Sequence, residues 1–171
     1  MEKITFIEKG NPEALKKELK KEFKKVFLPK EKIAIKLHMG EEKNKHYLKP
    51  AIVKIAVDAL KEIGAKPFLF DSPVVYHGGR NTVEKYHKTA AKHGFTEENI
   101  GCPIVISNDF KCAKTEHLNA EVCKQLIEAD GLLVLTHIKG HMCSGFGGAI
   151  KNLGMGGVSV KTKMDIHSFA N

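Results

Sequence analysis

The sequence predicts an α/β fold, an open three-layer sandwich with a mostly parallel sheet of four or five strands and Rossmann-like topology. Three observations predict it. Short runs that are apolar throughout, rather than alternating, read as strands buried on both faces. Each is followed by a stretch with helical apolar spacing, and a parallel sheet needs such crossovers. Polar loops rich in histidine and glycine follow the carboxyl ends of the runs, where open α/β sheets bind ligands.

Asn11 and Pro12 signal a helix start, and Leu15, Leu19, Phe23, Val26 and Phe27 recur at helical spacing behind it. The first strand is Ile33-Ala34-Ile35-Lys36-Leu37. Its helix begins near Pro50, carries Ile52, Val53, Ala56, Leu60 and Ile63, and stops at Gly64. Pro67-Phe68-Leu69-Phe70 is the second strand, with a helix over 82–93 that ends before Gly94. Pro103-Ile104-Val105-Ile106 is the third, and Asn119 is the expected cap of a helix carrying Val122, Leu126 and Ile127. Leu132-Leu133-Val134-Leu135 is the fourth, and the glycine cluster beyond it opens a last helix. Ile4-Thr5-Phe6-Ile7 is a further edge-strand candidate.

Length and composition suit one domain over 1–171: 171 residues with 42% hydrophobic content are enough for a buried core. Cys102, Cys112, Cys123 and Cys143 form no C-x-x-C, and nothing resembles a signal peptide, so the expectation is a reducing cytoplasm. No apolar run is long enough to cross a bilayer, and no membrane partner is expected. The net charge of +8 raises the question of nucleic acid, but Lys16, Lys17, Lys20, Lys21, Lys24 and Lys25 crowd one amphipathic helix. Without interleaved aromatics or a reading motif they are read as a solvated face.

The loop chemistry is concentrated. His38, Met39, Gly40, Glu41, Glu42 and His46 follow the first strand, and Asp71, Ser72, Tyr76, His77 and Arg80 the second. Ser107, Asn108 and Asp109 follow the third. The densest loop is Thr136-His137-Ile138-Lys139-Gly140-His141-Met142-Cys143-Ser144-Gly145-Phe146-Gly147-Gly148, ahead of Ala149-Ile150-Lys151-Asn152-Leu153. His38, Asp71, His77, His137 and His141, if they converge, make a nitrogen and oxygen set suited to zinc, iron or nickel, with Cys143 a candidate thiolate. The alternative is loop histidines, and an Asp71 that caps its own turn.

Ser144, Gly145, Gly147 and Gly148 at a helix start, with Lys139, Lys151 and Asn152, suit a phosphate or carboxylate, because free backbone N–H groups and the helix dipole favour an anion. Arg80, after Gly78-Gly79, is a second anion-binding candidate. The alternative is that the glycines only permit a tight turn. Ile150 stands where a dinucleotide fingerprint has its third glycine, and the phosphate-loop Gly-Lys-Ser/Thr ending is absent, which disfavours NAD and ATP.

Lys36-Leu37-His38-Met39-Gly40, Phe70-Asp71-Ser72-Pro73 and Thr136-His137 resemble the iron–sulfur-centre proteins classed as domain of unknown function 362. Gly148-Ala149-Ile150-Lys151-Asn152-Leu153-Gly154 is the most specific part of the likeness. The resemblance implies an iron–sulfur cluster and a ferredoxin-like partner domain or protein. This chain has no C-x-x-C-x-x-C run, so the expectation is the N-terminal part of a longer family domain.

The expected function is an α/β domain of a ferredoxin-associated protein that binds a divalent metal ion, an anionic small molecule, or both, at this rim, in a redox-related role. A non-catalytic interaction domain docking a partner or a C-terminal iron–sulfur region is the alternative, with homo-oligomer formation expected if apolar sheet edge is exposed. A phosphate-binding hydrolase using Asp71 is the third. No reaction or catalytic residue is assigned.

Overall fold

The Asn11 side chain accepts a hydrogen bond from the Ala14 N–H at 3.0 Å, and Pro12 occupies the first turn of α1 (Pro12–Val26), as the sequence signals. The computed structural model describes residues 4–8, 10–141 and 144–168. After α1 come β1 (Lys32–Lys36), α2 (Pro50–Glu62), β2 (Lys66–Asp71), α3 (Val83–Lys92), α4 (Glu97–Ile100) and β3 (Ile104–Ile106). The chain continues through β4 (Phe110–Lys114), β5 (Asn119–Cys123), α5 (Lys124–Ile127) and β6 (Gly131–Val134). It then forms β7 (Lys139–His141), β8 (Gly145–Gly147), α6 (Ala149–Gly156) and α7 (Val160–Ser168).

Four strands form one parallel sheet in the order β3-β2-β1-β6. The chain steps outward from β1 to β3, then returns to lay β6 on the other side of β1. That reversal creates a switch point between β1 and β6, the place beyond the strand ends where open α/β sheets bind ligands. Ile33, Ile35 and Leu37 join Val53, Val57 and Leu60 of α2 in the main apolar core. Ala34 and Lys36 alternate to the opposite face, and α6 packs beside β1 and β6.

The lysines of α1 lie on its outer faces. Lys16 and Lys20 both pair with Glu62 of α2, Lys21 with Glu18 and Lys25 with Glu22. Such exposed pairs contribute little each, and the helix is held chiefly by its apolar stripe.

Three expectations are corrected. Asn119 does not cap a helix: residues 119–123 pair antiparallel with β4, Phe110 opposite Cys123 and Lys114 opposite Asn119. Thr115 closes that hairpin through Leu118, and the cross-strand pairing overrides the helical spacing, leaving only α5 helical. Residues 4–7 form no strand, because nothing among the described residues pairs with them, and Ile4 and Phe6 are almost fully exposed. The glycine segment is no simple turn: Gly145–Gly147 pairs antiparallel with Lys139–His141 as a two-stranded hairpin.

Candidate functional site

Lys36, the last residue of β1, is a charged side chain inside an apolar strand and is 1% exposed. Its ammonium lies 2.9 Å from Asp71 Oδ1 at the end of β2 and donates to Asn152 Oδ1 of α6 at 2.7 Å. Asn152 Nδ2 donates in turn to the Leu135 carbonyl and Thr136 Oγ1, each at 3.0 Å. One lysine therefore ties the ends of β1 and β2, the loop after β6 and the glycine-opened helix together at the switch point.

Asp71 is saturated. Oδ1 also accepts from the Ser72 N–H at 2.9 Å, and Oδ2 accepts from the Tyr86 hydroxyl, with an Arg80 nitrogen 3.6 Å away. Burial pushes its carboxyl up, but the Lys36 and Arg80 charges outweigh that and hold it below the ordinary aspartate value. Arg80 is itself 2% exposed. It donates to Glu41 through Nε at 2.8 Å and through Nη2, and reaches the hydroxyls of Tyr86 at 3.1 Å and Tyr76 at 3.0 Å. Against the pull of burial, that guanidinium holds Glu41 below its ordinary value.

His38 sits at the mouth of this cluster with two-fifths of its side chain exposed. Gly40, at φ +93, turns the loop so that its N–H donates to His38 Nδ1 at 2.9 Å. An occupied Nδ1 places the proton of the neutral ring on Nε2, which faces Glu41 Oε1 at 3.8 Å. Desolvation, with the Arg80 charge behind it, pushes the imidazole down to about 4, so it is neutral at pH 7. Neutral His38 presents a donor at the rim. His93, at the C-cap of α3, braces this loop: Nδ1 meets the Met39 carbonyl at 2.8 Å and the ring stacks on Tyr47.

On the far side, Lys163 of α7 donates to Ser72 Oγ at 2.7 Å and to the Pro73 carbonyl. Ser72 Oγ donates to the Gly156 carbonyl at 2.9 Å. Both side chains are shut from solvent, at 1% and 4% exposure, so the pair braces α7 against β2 rather than presenting a nucleophile. Burial pushes the Lys163 ammonium down to about 8, the nearby Lys36 and Arg80 charges adding to the effect. Buried Cys123 adjoins the pair with its thiol pushed up by burial to about 11, an unreactive form.

A folded pKa below the unfolded value of 10.5 means that the unfolded chain holds more protons between pH 8 and 10.5. The penalty of burying a charged Lys163 is thus present below pH 8 and is relieved as pH rises through that window. The stability of the natural protein minus that of Lys163→Met is expected to rise across this window by on the order of 3 kcal/mol in urea titrations. A pH-independent difference would mean that Lys163 is not the titrating group.

The structure brings together His38, Asp71, Arg80 and Asn152. It does not bring His77 or His137 into their contact network: both are exposed, although His137 stands at the same rim, two residues beyond Leu135. Lys139 and His141 lie on β7, Gly145 and Gly147 on β8, and Gly148 stands at the α6 N-cap with no side-chain cap of its own. Ser144 hydrogen-bonds within the hairpin, to His141 Nδ1 and the Phe146 carbonyl. Lys151 is half-buried on α6. Cys143 falls outside the described residues. Among those described, no group of three or more His, Cys, Asp or Glu is placed to hold a metal ion. No helix among them is long and apolar enough to cross a membrane.

Sequence reasoning passed over Lys36, Tyr86 and Lys163. A lysine within Ile33-Ala34-Ile35-Lys36-Leu37 was a readable signal, since buried lysines require a partner. Tyr86 and Lys163 carry no comparable local mark.

The fold and this cluster define a parallel α/β domain with a charged working edge at its switch point. The chain belongs to the family described as domain of unknown function (DUF362), whose profile matches residues 33–171. Among solved structures it is similar to the lactate racemase apoprotein from Thermoanaerobacterium thermosaccharolyticum, with 17% identity and a TM-score of 0.54. The match covers 89% of this chain and 39% of that protein, so this chain spans about two-fifths of the length of its structural relative. No curated protein sequence matches it.

Proposed function

We propose that the domain binds a small oxyanion, a carboxylate or a phosphate, at the switch point beyond the ends of β1 and β6. The observation that carries this reading is an imbalance of buried charge. Three cations, Lys36, Arg80 and Lys163, share the cluster with two carboxylates, Asp71 and Glu41. Buried charges are ordinarily matched, and a cluster one carboxylate short favours an anion at its open side. On this reading the N-terminal N–H groups of α6, Lys139, Lys151 and the His38 Nε2–H are the donors and positive charge that would meet the anion. Lactate, after which the structural relative is named, belongs to the same chemical class.

Titration calorimetry of the full chain with inorganic phosphate, sulfate and lactate, at constant ionic strength, tests the reading. Binding at pH 8 is expected to take up protons, because an anion beside the cluster raises the Lys163 pKa. Lys139→Ala combined with Lys151→Ala is expected to weaken it about tenfold. No heat and no thermal shift with any of the three anions would end the proposal.

Under the same proposal the domain works beside a separate ferredoxin-like domain or protein, the association that the family resemblance implies. Metal ligation by zinc, iron or nickel would require His38 to surrender its proton or its Gly40 contact, and Asp71 to exchange Lys36 for the metal. Elemental analysis after purification without added metal addresses that part separately.

A further inference from the structure

The β7–β8 hairpin is two-faced, with its apolar face turned to solvent. Phe146 lies opposite Gly140 across the hairpin, and Ile138 immediately precedes β7. Lys139 and His141, opposite Gly147 and Gly145, occupy the other face. Ile138 is 70% exposed and Phe146 61% exposed. The Phe146 ring lies over Gly148, where a Cβ would meet it at 2.6 Å, and Ile150 in the first turn of α6 is 91% exposed. Three large apolar side chains within thirteen positions are thus open to water, an arrangement that marks an interaction surface.

The surroundings define what fits. From residue 131 to residue 164 the sequence contains no Asp or Glu, while Lys139 stands on β7 and Lys151 on α6. The hairpin is a separate two-stranded sheet, so among the described residues each strand keeps one edge unpaired. We propose that this face docks a protein segment that carries apolar side chains flanked by acidic ones, added in extended form along the hairpin edge. An added strand pairs the open backbone groups, which a lipid surface cannot do, and its acids meet the acid-free lysine border. A second copy of this chain would bring the same positive border against itself.

Selection of a random sixteen-residue displayed peptide library on the immobilised full chain tests this. The enriched peptides are expected to combine Asp or Glu with Leu, Ile or Phe. A synthetic copy should lose at least tenfold in affinity to Phe146→Ser and to Lys139→Glu, while Lys88→Glu, on the distant face of α3, leaves it unchanged. Both substituted hairpin residues are exposed, so folding, checked by circular dichroism, is retained. Several results would overturn the proposal: no enrichment, enrichment without acidic residues, or binding that survives Phe146→Ser. So would Phe146-dependent dimerisation in sedimentation, or tighter binding to phosphatidylglycerol vesicles than to the peptide. Because phosphate binding is measured separately, either reading can fail alone.

Discussion

Asp71→Asn is expected to remove about 3–5 kcal/mol from the unfolding free energy measured in urea. The substitution keeps the shape of the side chain and some of its hydrogen bonds, but leaves Lys36 and Arg80 facing a neutral group inside the protein. Lys36 is 1% exposed and its ammonium, 2.9 Å from the carboxylate, has no route to water that keeps β1 in place. The expense lies in the uncompensated charge, so the paired replacement Lys36→Met with Asp71→Leu should lose less than Asp71→Asn alone. A loss under about 1 kcal/mol for Asp71→Asn would show that the cluster does not depend on this carboxylate.

Acid should reach the same contacts. Asp71 is held below its unfolded value of 3.8, so the stability it contributes is present above that value and is lost as pH falls through the folded pKa. His38 moves the other way from most paired histidines. Its folded pKa, about 4, lies below 6.5, so the unfolded chain binds the extra proton first and stability declines from pH 6.5 downward. With two-fifths of the side chain exposed, its share is the smaller one.

The sheet was legible because its parallel strands leave uninterrupted apolar runs: Ile33–Ile35 is buried on both faces, and Leu132–Val134 keeps the same run at the sheet edge although Leu132 is exposed. The carboxyl edge was legible for the same reason, since strand direction fixes which loops share it. In the fold His38, Asp71, Arg80 and Asn152 stand around that edge. The hairpins were not legible: Asn119–Cys123 has apolar spacing compatible with a helix, and only its partner Phe110–Lys114 decides otherwise. Nor was the state of the site's polar groups. Arg80 reads as a free anion binder until Glu41, 39 positions earlier in the loop after β1, is seen to hold it. Asp71 reads as an open carboxylate until Lys36, Tyr86 and Ser72 are placed around it. Residue type announces that charge is present, whereas partners from distant segments decide whether any of it is left for a ligand.

Two glycines two residues apart on α6 should respond to the same substitution with opposite signs. Gly154 faces open space, and Gly154→Ala is expected to stabilise the protein by about 0.5–1 kcal/mol, the ordinary gain from removing backbone freedom in a helix. At Gly156 a Cβ would lie 2.2 Å from Lys36 Cε and Nζ and 2.9 Å from Asp71 Oδ1. A lysine can usually swing aside, but this one is enclosed and pinned by Asp71 and Asn152, so relief requires either parting the ion pair or lifting α6 off β1. Lifting α6 would also strain the Ser72 bond to the Gly156 carbonyl. Gly156→Ala is therefore expected to destabilise by about 2–3 kcal/mol in thermal or urea unfolding. Under the proposed function it should also weaken phosphate binding, because the α6 N-terminus moves with the helix. Equal stability of the two alanine variants would mean that α6 does not rest on the Lys36–Asp71 pair, and with that contact would go the structural basis for a ligand site at the β1–β6 boundary.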